Sequence, residues 1–74
     1  MKITVSLFAF FREGRFIEEV REYPEETKVS EVINDLEIDI EAVGVTMISS
    51  RHCTLDTVLQ EGDRLGIFPL IGGG

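Results

Sequence analysis

The run from Met1 to Phe11 alternates with period two: Ile3, Val5, Leu7, Ala9 and Phe11 fall on one side, Lys2, Thr4, Ser6, Phe8 and Phe10 on the other. Successive side chains of an extended chain point to opposite faces, so this segment reads as a β-strand with an apolar face to bury. It commits the chain to a sheet and to a layer that covers it. The opposite face begins polar and ends in two aromatics. Phe8 and Phe10 are therefore either covered by another part of the fold or exposed as a contact patch.

The rest of the chain supplies that layer. Arg12 to Arg15 reads as a turn, with Gly14 free to take a positive φ. Phe16, Ile17, Val20 and Tyr23 fit a helix face, but a hairpin return from the first strand is equally natural after so short a turn, and we read a strand that Pro24 breaks. Thr27 is placed to cap a helix over about residues 28–36, whose stripe of Val29, Val32, Ile33 and Leu36 should lie on the sheet, with Glu31 near the positive end of the helix dipole. Ile38 to Val43 lies in an acidic connection with room for a second short turn of helix, closed by Gly44. Val45 to Ile48 is a β-rich run, Ser49-Ser50 a turn, and Arg51 to Thr54 a short return strand. Leu55 and Leu59 flank a polar loop that turns at Gly62. Arg64 to Phe68 is the last strand, with Leu65 and Ile67 on one face and Gly66 and Phe68 on the other, stopped by Pro69. This order of elements points to an α+β domain, a mixed sheet packed on one main helix, which is the ubiquitin-like β-grasp arrangement. We expect that domain over residues 1–69 and a flexible tail over 70–74.

Composition narrows the function. A chain of 74 residues is one domain that buries only about 60% of its unfolded surface, with little room for an enclosed active site. Its formal charge of -7 and the absence of any Lys or Arg run argue against nucleic acid or an anionic membrane and favour a partner with a basic surface. The lone Cys53 demands no oxidising compartment, and neither a signal peptide nor a membrane span is visible, so cytoplasm is the expected location. Self-contained catalysis is not expected. His52 and Cys53 are adjacent, and adjacent residues of a strand face opposite ways, which prevents a nucleophile-base pair. Cys53 reads instead as a small hydrophobe. Zinc needs more ligands than this Cys and His count supplies, no phosphate loop is present, and the carboxylates from Glu13 to Glu41 read as a solvated surface. We therefore expect no catalytic residue and no metal site.

The remaining feature is the final Ile71-Gly72-Gly73-Gly74. Glycines lose the most entropy on ordering and add nothing to a core, so they suit a mobile tail. Without Cβ atoms such a tail fits a narrow tunnel of another protein, and the carboxylate of Gly74 is unhindered to attack. A frayed end, a linker or an expression scar explains the same glycines.

The opening Met1 to Glu13, the segment Leu55 to Arg64, and the close Ile67-Phe68-Pro69-Leu70-Ile71-Gly72-Gly73-Gly74 together resemble the MoaD/ThiS sulfur carriers over nearly the whole chain. The first strand and its ending look closer to MoaD, the small subunit of molybdopterin synthase, than to ThiS. The chain departs from the pattern at Ser49-Ser50, where relatives often have Asn-Gly, and at Leu70, where many have a second proline. The resemblance implies a carrier that is monomeric when free and binds no permanent cofactor. A MoeB/ThiF-like enzyme would use ATP and Mg²⁺ to adenylate Gly74, a persulfide or sulfide donor would convert it to a thiocarboxylate, and Gly72 and Gly73 would serve as the tail that delivers it. The acceptor would sit on a MoaE-like large subunit in molybdenum or tungsten cofactor assembly. A ThiS-type carrier for thiamin thiazole synthesis, a ubiquitin-like protein modifier and an inert β-grasp module are the alternatives. The resemblance also implies that Phe8 and Phe68, with His52 near them, form a hydrophobic partner-binding surface.

Overall fold

The computed structural model describes residues 1–71; the expectations for Gly72, Gly73 and Gly74 lie outside the described residues. Strand β1 (Lys2–Leu7) buries Ile3, Val5 and Leu7, as the alternation requires. It ends there rather than at Phe11. The alternation gives way because Ala9 takes a left-handed conformation (φ 52°) and opens a 3₁₀ turn over Ala9–Arg12. That turn carries Phe11 into the core and leaves Ala9, which the alternation placed inside, on the surface. Phe10 stays half exposed with its ring edge-on to Phe11.

Gly14 turns at φ 69°, and the chain returns as β2 (Glu18–Glu22), antiparallel to β1 with Val20 opposite Thr4. The strand reading of this ambiguous stretch is thus the one that forms. Beyond Pro24 the helix α1 (Val29–Asp35) buries Val29, Val32 and Ile33, with Leu36 half-buried behind them. Its N-cap is Lys28, not Thr27. The backbone N–H of Lys28 donates to Glu31 Oε1 at 2.9 Å, which satisfies a helix-end donor from within the first turn. Thr27 is buried one residue earlier and donates its hydroxyl to the Pro24 carbonyl at 2.7 Å, fixing the approach to the helix instead.

At the other end of α1, Arg15 Nε and Nη2 donate to the carbonyls of Leu36 and Glu37, each at 3.1 Å. A guanidinium over the last carbonyls suits the negative end of the helix dipole. A second polar tie joins β2 to α1. Arg21 donates to the Tyr23 hydroxyl and to Glu19 and Asp35, and the Tyr23 hydroxyl donates to Asp35 at 3.0 Å. Burial pushes the Tyr23 phenol above its ordinary value; the neighbouring Asp35 acts in the same direction, and Arg21 opposes.

The acidic connection does hold a short 3₁₀ turn, Ile40–Ala42, but Gly44 does not close it. Gly44 lies inside β3 (Val43–Ile48), where the pairing shifts by one residue and makes a bulge. Ser49 and Ser50 form the expected turn, both with positive φ, and β4 (Arg51–Cys53) returns antiparallel. After a turn at Gly62, β5 (Arg64–Pro69) runs parallel to β1 and antiparallel to β3. Pro69 is the strand's last residue and is buried rather than standing beyond it; a proline is tolerated there because the ladder ends. The strand order β2-β1-β5-β3-β4 gives a mixed five-stranded sheet with one main helix, the β-grasp arrangement. Ile3, Val5, Leu7, Leu65 and Ile67 of the two central strands meet Val29, Val32 and Ile33 of α1 in one core that Phe11, Ile38 and Leu59 complete. No helix among the described residues is long and apolar enough to cross a bilayer.

Candidate functional site

Because Val5, Leu7, Leu65 and Ile67 face the helix, the residues between them face away from it. Registers carry that parity across the sheet: Glu18 pairs Ser6, Ser6 pairs Gly66, Gly66 pairs Met47, and Met47 pairs His52. This row crosses the outer face. Next to it, toward the end of β5, lie Phe8 and Phe68, with Val45 paired to Phe68.

Phe8 and Phe68 are stacked, with ring centroids 4.0 Å apart and planes within 8°. Gly66 makes that arrangement possible. A Cβ on Gly66 would stand 3.3 Å from the Phe68 ring and 3.4 Å from the Phe8 ring, so a side chain there would press on the stack. Phe8 also receives the Arg12 guanidinium, 5.4 Å from the ring centroid. Arg12 is anchored by a 2.7 Å hydrogen bond from Nε to the Leu7 carbonyl. An arginine over an aromatic face contributes roughly 0.5–1 kcal/mol at an exposed site and also fixes the ring.

A hollow of about 180 Å³ opens beside the stack, lined by residues that include Ser6, Phe8, Met47, Arg64, Gly66 and Phe68, and no carboxylate lines it. The chain is acidic overall, yet this part of its surface is apolar with Arg12 and Arg64 at its margins. Glu18 stands at the margin, where its Oε1 accepts from Ser6 Oγ at 3.1 Å and from Arg64 Nη2 at 3.2 Å. A larger hollow, about 590 Å³, lies at the opposite end of β1 among Met1, Glu25, Glu26, Val58 and Glu61. There the N-terminal ammonium already donates to the Tyr23 carbonyl at 2.8 Å.

Of the residues singled out from the sequence, the fold brings Phe8 and Phe68 into contact. His52 shares their outer face but stands beyond Met47 on the edge strand, exposed, beside a separate hollow with Gly44 and Val45. Cys53 pairs opposite Thr46 and is half-buried against the core, so it points away from His52 as strand parity demands. Among the described residues no group of three or more His, Cys, Asp or Glu is placed to hold a metal ion. Sequence reasoning missed Arg12, Val45, Met47 and Gly66. The alternation of β3 could have assigned Val45 and Met47 to the outer face, whereas Arg12 and Gly66 acquire their roles only once Phe8 and Phe68 are adjacent.

The chain leaves this site toward its C-terminus. Leu70 N–H donates to the Ala42 carbonyl at 2.7 Å, while the side chains of Leu70 and Ile71 are 67% and 70% exposed.

The profile of the ThiS family matches residues 5–74. A search of curated proteins finds no match. Among solved structures, the chain is similar to a protein described as molybdopterin converting factor subunit 1 from Pyrococcus furiosus, 27% identical with a TM-score of 0.77, over 96% of this chain and 99% of that one. It shares the fold of small archaeal modifier protein 1 of Haloferax volcanii, at 15% identity and a TM-score of 0.75, over 95% of this chain and 98% of the other. It likewise shares the fold of a chain in the complex of subunits 1 and 2 of the molybdopterin-converting factor of Helicobacter pylori, at 17% identity and a TM-score of 0.68, over the whole length of both chains.

Proposed function

The chain belongs to the ThiS family, the MoaD/ThiS group of ubiquitin-like sulfur carriers, and on that premise we propose that it carries sulfur on Gly74 for molybdopterin-type cofactor assembly. The Gly74 carboxylate attacks the α-phosphate of ATP in a MoeB/ThiF-like enzyme that holds Mg²⁺, and pyrophosphate leaves. AMP is then a good leaving group. Hydrosulfide displaces it directly to give the thiocarboxylate; a persulfide first gives an acyl disulfide, which a second thiol reduces. The thiocarboxylate donates its sulfur to a precursor held by a MoaE-like subunit. Apart from the terminal carboxylate itself, no residue of this chain acts as acid, base or nucleophile on the way. The fold supplies the surface that docks, and the tail supplies the reacting atom.

The observation that carries the reading is the stacked Phe8-Phe68 pair, a half-buried apolar platform on the outer face of the sheet, at the end of the strand that leads into the glycines. An aromatic pair left open beside an unhindered tail suits a protein that is handed from one enzyme to another. From Pro69 to Gly74 an extended chain spans at most about 20 Å, enough to enter a partner's site from a docked domain. The MoaD branch is favoured by the likeness to the Pyrococcus protein, and a large-subunit partner by the named complex of the Helicobacter pylori protein.

Mass spectrometry of the protein isolated with an adenylating enzyme and ATP tests the proposal. Replacement of one terminal oxygen of Gly74 by sulfur is the expected result. Lysine-linked adducts identify a protein modifier instead, and an unmodified terminus sinks both. Transfer of the sulfur to a thiazole precursor rather than a molybdopterin precursor would place the chain in the thiamin branch. Removing Gly73 and Gly74 should abolish transfer while leaving the melting curve unchanged, since neither residue has a side chain to pack.

A further inference from the structure

Gly44 has no conformational reason to be glycine. It sits on the exposed side of β3 and is not among the residues with positive φ, and a glycine weakens a strand that almost any other residue would support. Its reason is space. A Cβ at this position would lie 2.9 Å from Leu70 Cα, 2.9 Å from the Pro69 carbonyl oxygen and 3.1 Å from Leu70 N. All three are backbone atoms, so no side-chain rotation relieves the clash. The pairing shows the same notch. Val43 faces Pro69 and Val45 faces Phe68, which leaves Gly44 as the extra residue of the bulge. Across the notch, Leu70 N–H reaches the Ala42 carbonyl at 2.7 Å. The Leu70 and Ile71 side chains point to solvent, so backbone contact, not side-chain packing, holds the chain as it leaves the sheet.

We infer that Gly44 is a positioning residue: the absent side chain lets the backbone after Pro69 lie in the β3 bulge, and this sets the direction in which the C-terminal segment departs from the Phe8-Phe68 platform. The use of that direction rests on the carrier reading; the direction itself does not. A partner that grips the platform needs the tail to point into its active site, and a misdirected tail leaves docking intact while displacing the reacting atom.

Gly44→Ala tests this in the full chain by two readouts. In amide hydrogen exchange, the variant should lose on the order of tenfold protection at Leu70 while the β1 and β5 amides at Val5, Leu65 and Ile67 keep theirs. In adenylation by the activating enzyme, kcat should fall on the order of tenfold or more with KM for the carrier nearly unchanged, because reacting atoms are misplaced and the docking face is not. Unchanged Leu70 protection together with unchanged kcat overturns the inference. So does loss of protection throughout β1 and β5, which would make Gly44 a packing residue. If the unsubstituted chain is never adenylated, the carrier reading fails and the exchange result still decides the role of Gly44. A further measurement needs no substitution: the Leu70 amide should have a relaxation order parameter near the rigid-backbone value of about 0.85, and a value below about 0.6 overturns the inference.

Discussion

Strand β5 presents apolar side chains on both of its faces, and only one is covered. Leu65 and Ile67 have no exposed surface under α1; Phe68, one residue away, lies on the outer face over Gly66, stacked on Phe8 and paired with Val45. Burial on the helix side holds the domain together, because each such side chain contributes about 1.5–3 kcal/mol on leaving water. The outer face is finished differently. Two rings cover each other and an arginine covers one of them, which limits the exposed area without closing it. On the proposed function, stability and contact are separated by the thickness of a single sheet, and substitutions on alternate residues of one strand should separate them experimentally.

Ile67→Ala should give the largest effect. It leaves a cavity under α1 and should cost about 3 kcal/mol, lowering the thermal midpoint by roughly 15 °C in a calorimetric scan. A small shift would mean that the inner face is not the core. Phe68→Arg is the complementary change. It loses a ring stack that contributes roughly 0.5–1.5 kcal/mol, so the circular-dichroism melt should move little, while affinity for the adenylating enzyme should drop by about 2 kcal/mol or more, some 30-fold. A collapsed melt would assign Phe68 to the core and dissolve the contrast between the faces.

Smaller changes sharpen the helix side. Arg15→Ala removes the donors to the Leu36 and Glu37 carbonyls and should cost about 1 kcal/mol in a urea titration, without affecting partner binding. The least effect is expected from pH. The Tyr23 phenol is raised above 10.0 chiefly by burial, so the folded state favours its protonated form. That stabilisation is complete below the unfolded value and is lost as pH rises through the folded one. Urea midpoints should therefore fall more steeply as pH rises above about 10 for the parent chain than for Tyr23→Phe.

Much of the helix-covered face can be read from the chain, because burial imposes periodicity: Ile3, Val5 and Leu7 alternate, and Val29, Val32 and Ile33 repeat at helical spacing. The antiparallel pairing of β1 with β2 follows the tendency of consecutive strands to be neighbours, although the connection over residues 8–17 holds a 3₁₀ turn as well as the turn at Gly14. The misreadings share another cause. Ala9 adopts a left-handed φ that alanine does not announce, so the strand seemed to continue to Phe11. Thr27 is a good cap by type, but its hydroxyl is engaged by Pro24 and Glu31 does the capping from within the helix. Gly44 looked like a helix stop because its actual neighbour, Leu70, is far along the chain. On the outer face, strand alternation puts Phe8 and Phe68 on the side away from the helix, whereas Arg12 and Gly66 depend on the two rings being stacked, which no local pattern encodes. Ser49 and Ser50 show how a turn can be located but not explained. Both take positive φ, where Asn-Gly would sit with less strain.

The order of strands has a consequence for how the protein is made. β5 occupies the middle of the sheet, flanked by β1 on one side and β3 on the other, although it is the last strand to be synthesised. Until it emerges from the ribosome, the earlier strands have a gap where their hydrogen-bonding partners belong, and the halves of the sheet cannot join. A nascent chain interrupted before Arg64 would have neither a closed sheet nor Phe68. The aromatic pair is therefore tied to closure of the sheet: Phe68 comes to lie against Phe8 only once the central strand has been inserted.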